Sequence, residues 1–126
     1  MSFIFRRKKD WRKLEERALG STVYRGYRKE PQRSFSSVGR RPDIFAVNPR
    51  NARDRIVGEA KFVKELKPHH VRQAIRYKGY PAFAKTGIIH VARDTKVPRQ
   101  VRDLAGESNI KIIRTRQKKK KFLGLF

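Results

Sequence analysis

Arg41-Pro42-Asp43-Ile44-Phe45-Ala46-Val47, Asn48-Pro49-Arg50-Asn51, and then Arg55-Ile56-Val57-Gly58-Glu59-Ala60-Lys61-Phe62-Val63 is the stretch whose reading decides the fold. The last run has the length and β-branched content of a strand, Asp43 to Val47 reads as the strand before it, and Asn48 to Asn51 is a turn signal. Strand side chains alternate between faces, so Glu59 and Lys61 project from one side and Ala60 from the other. A hairpin with Val47 near Ile56 would set Asp43 opposite Ala60, its carboxylate beside both Glu59 and Lys61. A register slip of one position still leaves Asp43 within reach.

Two carboxylates and an amine in that relation suit a hydrolytic Mg²⁺ site. Mg²⁺ takes oxygen ligands, keeps several waters and binds one or two protein carboxylates together with substrate phosphates. It lowers the pKa of a bound water and neutralises charge on the phosphate. A lysine one step away can orient the attacking water or stabilise the phosphorane-like transition state. Glu-x-Lys by itself is common on solvated strand faces, and Asp43 could simply end a turn. Pro-Asp at one strand start, with Glu-x-Lys in the next strand, is a rarer combination.

Gln73-Ala74-Ile75-Arg76-Tyr77 follows on an expected helix. Pro68 suits the first helical turn, Gly79 the C′ position, and Pro81 lies just beyond. Val71, Ala74, Ile75 and the stem of Lys78 form the buried stripe, with Gln73 and Tyr77, i and i+4, stacked along one side.

Pro42-Asp43, then Glu59-Ala60-Lys61, then Gln73-x-x-x-Tyr77 resembles the ordered pattern of the PD-(D/E)xK nucleases, in the variety found in RecB-type and lambda-type exonucleases. The resemblance covers roughly residues 10 to 115. It implies that Asp43 and Glu59 bind metal, with the backbone carbonyl of Ala60 completing the shell. It further implies that Lys61 serves the attacking water and that Gln73 and Tyr77 orient groups around the scissile phosphate. Those exonucleases carry additional domains, so in size and basicity this chain is more similar to compact archaeal Holliday-junction resolvases or a small restriction-type endonuclease. Compact resolvases carry a helix-borne glutamate that joins the metal site. On a helix from Trp11 to Leu19 the apolar face is centred near Trp11; Glu15 lies about 40° from that centre and Glu16 about 140° away. Glu15 is therefore the further candidate metal ligand, unless it rides the stripe edge and pairs with an arginine.

Composition narrows the partner. With 126 residues, 34 Lys+Arg against 11 Asp+Glu and a net charge of +23, one basic domain is expected, and nucleic acid is the leading partner. The side chains placed to meet DNA are Arg33, Ser36, Ser37, Arg40 and Arg41 of a loop, Lys64, and Arg72 and Arg76 of the helix. The absence of cysteine excludes disulfides and thiolate chemistry. No apolar run approaches a membrane span, and charges after a very short N-terminal apolar stretch have the wrong order for a secretory signal. The expected location is cytoplasmic, either nucleoid-associated or as a virus- or phage-encoded intracellular protein, with no membrane partner.

Outward from the hairpin, Asp10 and Gly20 bracket the helix Trp11 to Leu19, and Ser21 to Lys29 reads as a first strand. A loop runs from Lys29 to Arg41. Beyond the Pro68 helix come a buried-type strand Thr86 to Ala92, a short helix Pro98 to Ala105 ended by Gly106, and a last strand Ile110 to Thr115. The order α-β-β-β-α-β-α-β predicts an α/β restriction-endonuclease-like core, a mixed central sheet flanked by helices. The chain divides into a basic arm (1–9), a nuclease domain (10–116) and a basic, apolar-ended tail (117–126). His69 and His70 read as surface residues and His90 as a hydrogen-bonded core histidine. No Ser-His-Asp set, phosphate loop or zinc spacing is present.

The expectation is a Mg²⁺-dependent deoxyribonuclease (Mn²⁺ substituting), acting on branched or duplex DNA in a structure-directed manner, and a homodimer because two strands are most simply cut by two chains. The alternatives are a non-catalytic basic nucleic-acid-binding protein of the same fold, a small restriction-type endonuclease, and an RNA-binding protein, which would need clustered stacking aromatics. The ending Leu123-Gly124-Leu125-Phe126 is similar to peptides that dock on bacterial sliding clamps, although Phe122 stands where those usually carry glutamine. Dimer contact or fraying are the other readings of that end.

Overall fold

Alternation along the central hairpin sorts its residues onto two faces, and both faces are covered. The computed structural model describes residues 13, 14, 16–18, 20–30, 42–79 and 82–115. Strand β1 is Arg28–Lys29, β2 Ile44–Asn48, β3 Asn51–Lys61, β4 Thr86–Ala92 and β5 Ile110–Thr115. They form one five-stranded sheet in the order β1-β2-β3-β4-β5. The β1–β2 and β2–β3 pairs are antiparallel, while β3–β4 and β4–β5 are parallel. The parallel pairs require crossovers, supplied by helices α2 (Pro68–Lys78) and α3 (Arg99–Glu107). The described helical residues 13, 14 and 16–18 belong to α1, and a short 3₁₀ turn, Thr22–Tyr24, follows. The mixed α/β sheet flanked by helices is as expected.

One face of the sheet packs Ile44, Ala46, Ile56, Ala60 and Ile88 against Leu14 and Ala18 of α1 and against Tyr24. The other packs Ile89, Val91 and Ile110 against Val71, Ala74, Val101 and Ala105 of α2 and α3. A smaller cluster on this second face joins Phe45 and Val57 to Ala82, Ala84 and the ring of Tyr77. Leu14 and Ala18 are fully buried and Glu16 exposed, which agrees with the helix phase expected for this segment. The loops leaving β3 and β4 are tied together: Leu66 N–H donates to Lys96 O (2.8 Å), Lys96 N–H to Lys64 O (2.8 Å) and Thr95 Oγ1 to Val63 O (2.7 Å).

The structure corrects several expected boundaries. Ser21 to Lys29 is not one strand: Ser21 caps the 3₁₀ turn by accepting from Val23 N–H (3.4 Å), and only Arg28–Lys29 pair. Strand β2 begins at Ile44 rather than Asp43, and β3 starts at Asn51 and ends at Lys61 rather than running from Arg55 to Val63. Val47 pairs with Arg55, not Ile56, because an irregularity falls between Val47 and Asn48. Asn48 accepts from Arg50 N–H (2.9 Å) and donates to Asp54 (3.1 Å), so the turn is closed by its side chain. Helix α3 passes through Gly106 to Glu107; the left-handed residue beyond it is Asn109 (φ 56°), whose side chain donates to Lys85 O (2.6 Å). Gly79 ends α2 at φ −78°, not in the left-handed region.

Candidate active site

Strand alternation puts Val57, Glu59 and Lys61 of β3 on the face covered by α2, and Phe45 on the same face of β2. Asp43 is two residues from Phe45, so it shares that face, and carrying the observed register one step further sets it beside Glu59. The slip relative to the expected pairing leaves the carboxylate in reach. Asp43 Oδ2 accepts the backbone N–H of Ala60 at 2.8 Å, which fixes the aspartate against the strand that carries the glutamate.

Glu59 is 5% exposed, and its Oε1 has no hydrogen-bond partner. Buried carboxylate oxygens are nearly always satisfied, so this atom is an open acceptor that a cation or donor could meet. Burial, after it the Asp43 carboxylate, and a hydrogen bond between the two side chains push the Glu59 acid up to about 8 from an ordinary value of 4.5, so it is the one atom Oε1, not the whole carboxyl group, that lacks a partner. Lys61 works against that rise, with Nζ 3.8 Å from Glu59 Oε2. At that separation the ammonium does not offset the desolvation. A further cation beside Glu59 would favour its charged form.

Helix α2 completes the line. Lys61 Nζ donates to Gln73 Oε1 (2.5 Å), and Gln73 Nε2 donates to Tyr77 Oη (3.3 Å). Gln73 and Tyr77 are one helical turn apart, which lets the amide bridge from the lysine to the phenol. Asp43, Glu59, Lys61, Gln73 and Tyr77 are therefore brought together, with Ala60 supplying its N–H to Asp43. Among the described residues no three His, Asp or Glu side chains form a cluster. The donor set is two carboxylates with backbone beside them, a set that suits an ion keeping waters and substrate oxygens in its shell, as Mg²⁺ does.

The flanking basic residues divide. Lys64, Arg72 and Arg76 are exposed. Lys64 helps line an open cleft of about 460 Å³ with Val63, Glu65, Lys67, His69 and His70. His70 is more than the surface residue expected: its Nδ1 accepts Lys67 N–H (2.9 Å) and its ring lies 4.1 Å from that of His69, centroid to centroid. Burial, then the electrostatic influence of His69, Lys61 and Lys67, lowers its pKa to about 4. Glu15, Arg33, Ser36, Ser37, Arg40 and Arg41, the arm 1–9 and the tail 117–126 lie outside the described residues.

The reverse face of β3 holds a group that the sequence reading did not connect. Tyr24 Oη is 2.6 Å from His90 Nε2, and His90 Nδ1 is 3.4 Å from Thr115 Oγ1, all three residues being buried. His90 is the hydrogen-bonded core histidine expected, and burial lowers its pKa to about 4. Burial, then Asp43 and Glu59, drives the Tyr24 phenol far above its usual range. Gly58 makes room for it: a Cβ there would sit 2.1 Å from Tyr24 Oη. A glycine inside an apolar strand was the available signal of such a close approach.

No protein-family model and no curated protein matches the chain. Among solved structures it is similar to the apo form of EndoMS, at 12% identity and a TM-score of 0.48, over 73% of this chain and 37% of that one. The chain thus spans little more than a third of that protein's length.

Proposed function

We propose that the chain is a Mg²⁺-dependent DNA nuclease that hydrolyses phosphodiester bonds in a structure-directed manner. The observation that carries the reading is the unpartnered, buried Glu59 Oε1 beside Asp43, with Lys61 held at the same spot by Gln73. Asp43 and Glu59 would hold the ion, with the Ala60 carbonyl next to them and Glu15 a further candidate ligand. When bound, the ion supplies a water of lowered pKa and charge neutralisation on the phosphate. Lys61 directs its ammonium toward the attacking water or the charge developing on the phosphate oxygens. Gln73 fixes that ammonium by accepting one of its protons, and Tyr77 fixes Gln73 in turn. Lys64, Arg72 and Arg76 meet flanking phosphates, and a net charge of +23 draws DNA to the site.

A purely DNA-binding protein gains nothing from two carboxylates facing phosphate. Cleavage of both strands is most simply made by two chains about a two-fold axis, so a homodimer belongs to this reading, as does an intracellular location. No helix among the described residues is long and apolar enough to cross a membrane. The decisive experiment incubates labelled branched, nicked, single-stranded and duplex DNAs with the protein and Mg²⁺ or Mn²⁺. Metal-dependent cleavage of at least one substrate is expected, and EDTA should stop it. Tight binding of every DNA with no cut in any would overturn the nuclease reading.

A further inference from the structure

Strand β3 ends at Lys61, and the residues just beyond it lead into the open cleft of about 460 Å³. Val63, Lys64, Glu65 and Lys67 line it together with His69 and His70 of α2. Asp43 is bonded to the N–H of Ala60, one residue before that end of the strand, so the cleft and the carboxylates share one end of the sheet. The wall of the cleft is tied down. The hydrogen bonds from Leu66 to Lys96, Lys96 to Lys64 and Thr95 to Val63 hold the segment against the loop after β4.

The cleft and the candidate site meet on α2. His70, Gln73 and Tyr77 are spaced i, i+3 and i+7, a single stripe of the helix, and all three are half-buried. Gln73 holds the Lys61 ammonium, and His70 stands one turn nearer the start of the helix, about 4.5 Å along its axis. Lys61 is among the causes that lower the His70 pKa to about 4, so the ring is neutral at physiological pH. Nδ1 accepts the Lys67 N–H, which puts the single ring proton on Nε2. Capping of the helix start uses Nδ1 alone, and glutamate or glutamine would do it as well. Nε2–H meets no acceptor among the described residues. Lys64 and Lys67 are exposed beside it, against Glu65 as the one acid in the lining. An oriented N–H flanked by two ammonium groups fits an anionic oxygen.

We propose that this cleft seats the DNA phosphate next to the one at Lys61, with His70 Nε2–H as its hydrogen-bond donor and Lys64 and Lys67 as its cations. The proposal rests on the nuclease reading for what lies at Lys61, and it adds a subsite to that reading. Two neighbouring phosphates held at once fix the register of the strand, so that the scissile bond comes to rest over Asp43 and Glu59.

The test first follows the imidazole ¹⁵N resonances of the full chain in EDTA as tetrathymidylate is added, so that no cut is needed. His70 Nε2 should shift in a saturable way while His90, buried on the reverse face, stays in place. The same oligomer with uncharged methylphosphonate linkages should leave His70 unmoved at the same concentrations. His70→Ala should bind labelled branched DNA about tenfold more weakly and melt lower, its cap being lost. His70→Gln keeps an acceptor for the Lys67 N–H and a donor for phosphate and should regain both. His70→Glu should regain the melting temperature alone. In Mg²⁺, a single methylphosphonate one linkage from the cut should raise KM about tenfold for wild type and less than about twofold for His70→Ala. Unmoved His70 resonances with the oligomer bound, or equal shifts with the uncharged oligomer, would overturn the proposal. So would equal affinity of wild type and His70→Ala for branched DNA. A wild type that cuts no DNA overturns the nuclease reading, and the resonance shifts still decide whether the cleft holds a phosphate.

Discussion

Strand β3 buries polar groups on both of its faces, and the two faces treat them differently. Behind Gly58 and Ala60, Tyr24, His90 and Thr115 satisfy one another across three elements. In front, Glu59 keeps an oxygen without a partner and a carboxyl pKa near 8, with Lys61 too weakly placed to offset its burial. A satisfied buried network fixes one arrangement of a core, whereas a buried carboxyl oxygen without a partner carries a cost that packing does not explain. The first face therefore reads as structure, and the second is where the proposed chemistry would lie.

The largest effects should come from the second face. Asp43→Asn, Glu59→Gln and Lys61→Ala should each reduce cleavage by ~10³-fold or more, with DNA affinity equal or higher for the two carboxylate variants because a charge facing phosphate is gone. Full activity of either in Mg²⁺ would erase the distinction between the faces. Gel-resolved cleavage beside anisotropy binding separates the two quantities.

The first face should answer in stability instead. Gly58→Ala drives a methyl into Tyr24 Oη and should cost about 1–3 kcal/mol. Tyr24→Phe strips His90 Nε2 of its partner and should cost about 1–3 kcal/mol. Urea unfolding measures both, and neither variant should change the metal dependence of cleavage. Thr115→Val loses only a 3.4 Å contact and should cost less than Tyr24→Phe.

Glu59 also gives the metal-free protein a pH signature. Its folded value is raised from 4.5 to about 8, so between those values the folded state holds a proton that the unfolded state has released. Stability from this group is complete below 4.5 and is lost as pH rises through 8. His70 and His90, lowered from 6.5 to about 4, act in the opposite sense between 4 and 6.5 and are constant above. Melting temperature in EDTA should therefore fall from pH 6.5 to 8 and stay level over that range in Glu59→Gln. If Mg²⁺ binds as proposed it would displace the Glu59 proton, so its apparent affinity should rise with pH up to about 8. A flat metal titration would detach the proton from the metal site. The smallest effect expected is that of Glu16→Gln, which changes an exposed residue and should leave cleavage as it is.

Local pattern made much of the front face legible. The alternation in Arg55 to Lys61, the apolar strands at Thr86 and Ile110, and the Pro68 start of α2 are short-range signals, and they were enough to bring Asp43, Glu59, Lys61, Gln73 and Tyr77 onto one face. The assumed register was one residue out because Asn48 closes the turn through its side chain, a choice that periodicity does not carry. Ser21 to Lys29 has strand-like composition, yet Tyr24 is drawn from any strand by His90, 66 residues away in sequence.

The strands lie in the sheet in the same order as in the chain. Each strand therefore meets its predecessor as its neighbour, and closure never spans more than one intervening helix. Such local wiring keeps the entropy of loop closure small and favours rapid assembly from the hairpin outward. Asp43 and Glu59 belong to that hairpin, so the two acids are forced together before α2 and α3 dock over them. The two acids are thus brought together at the start of folding, while water still surrounds both groups and screens them.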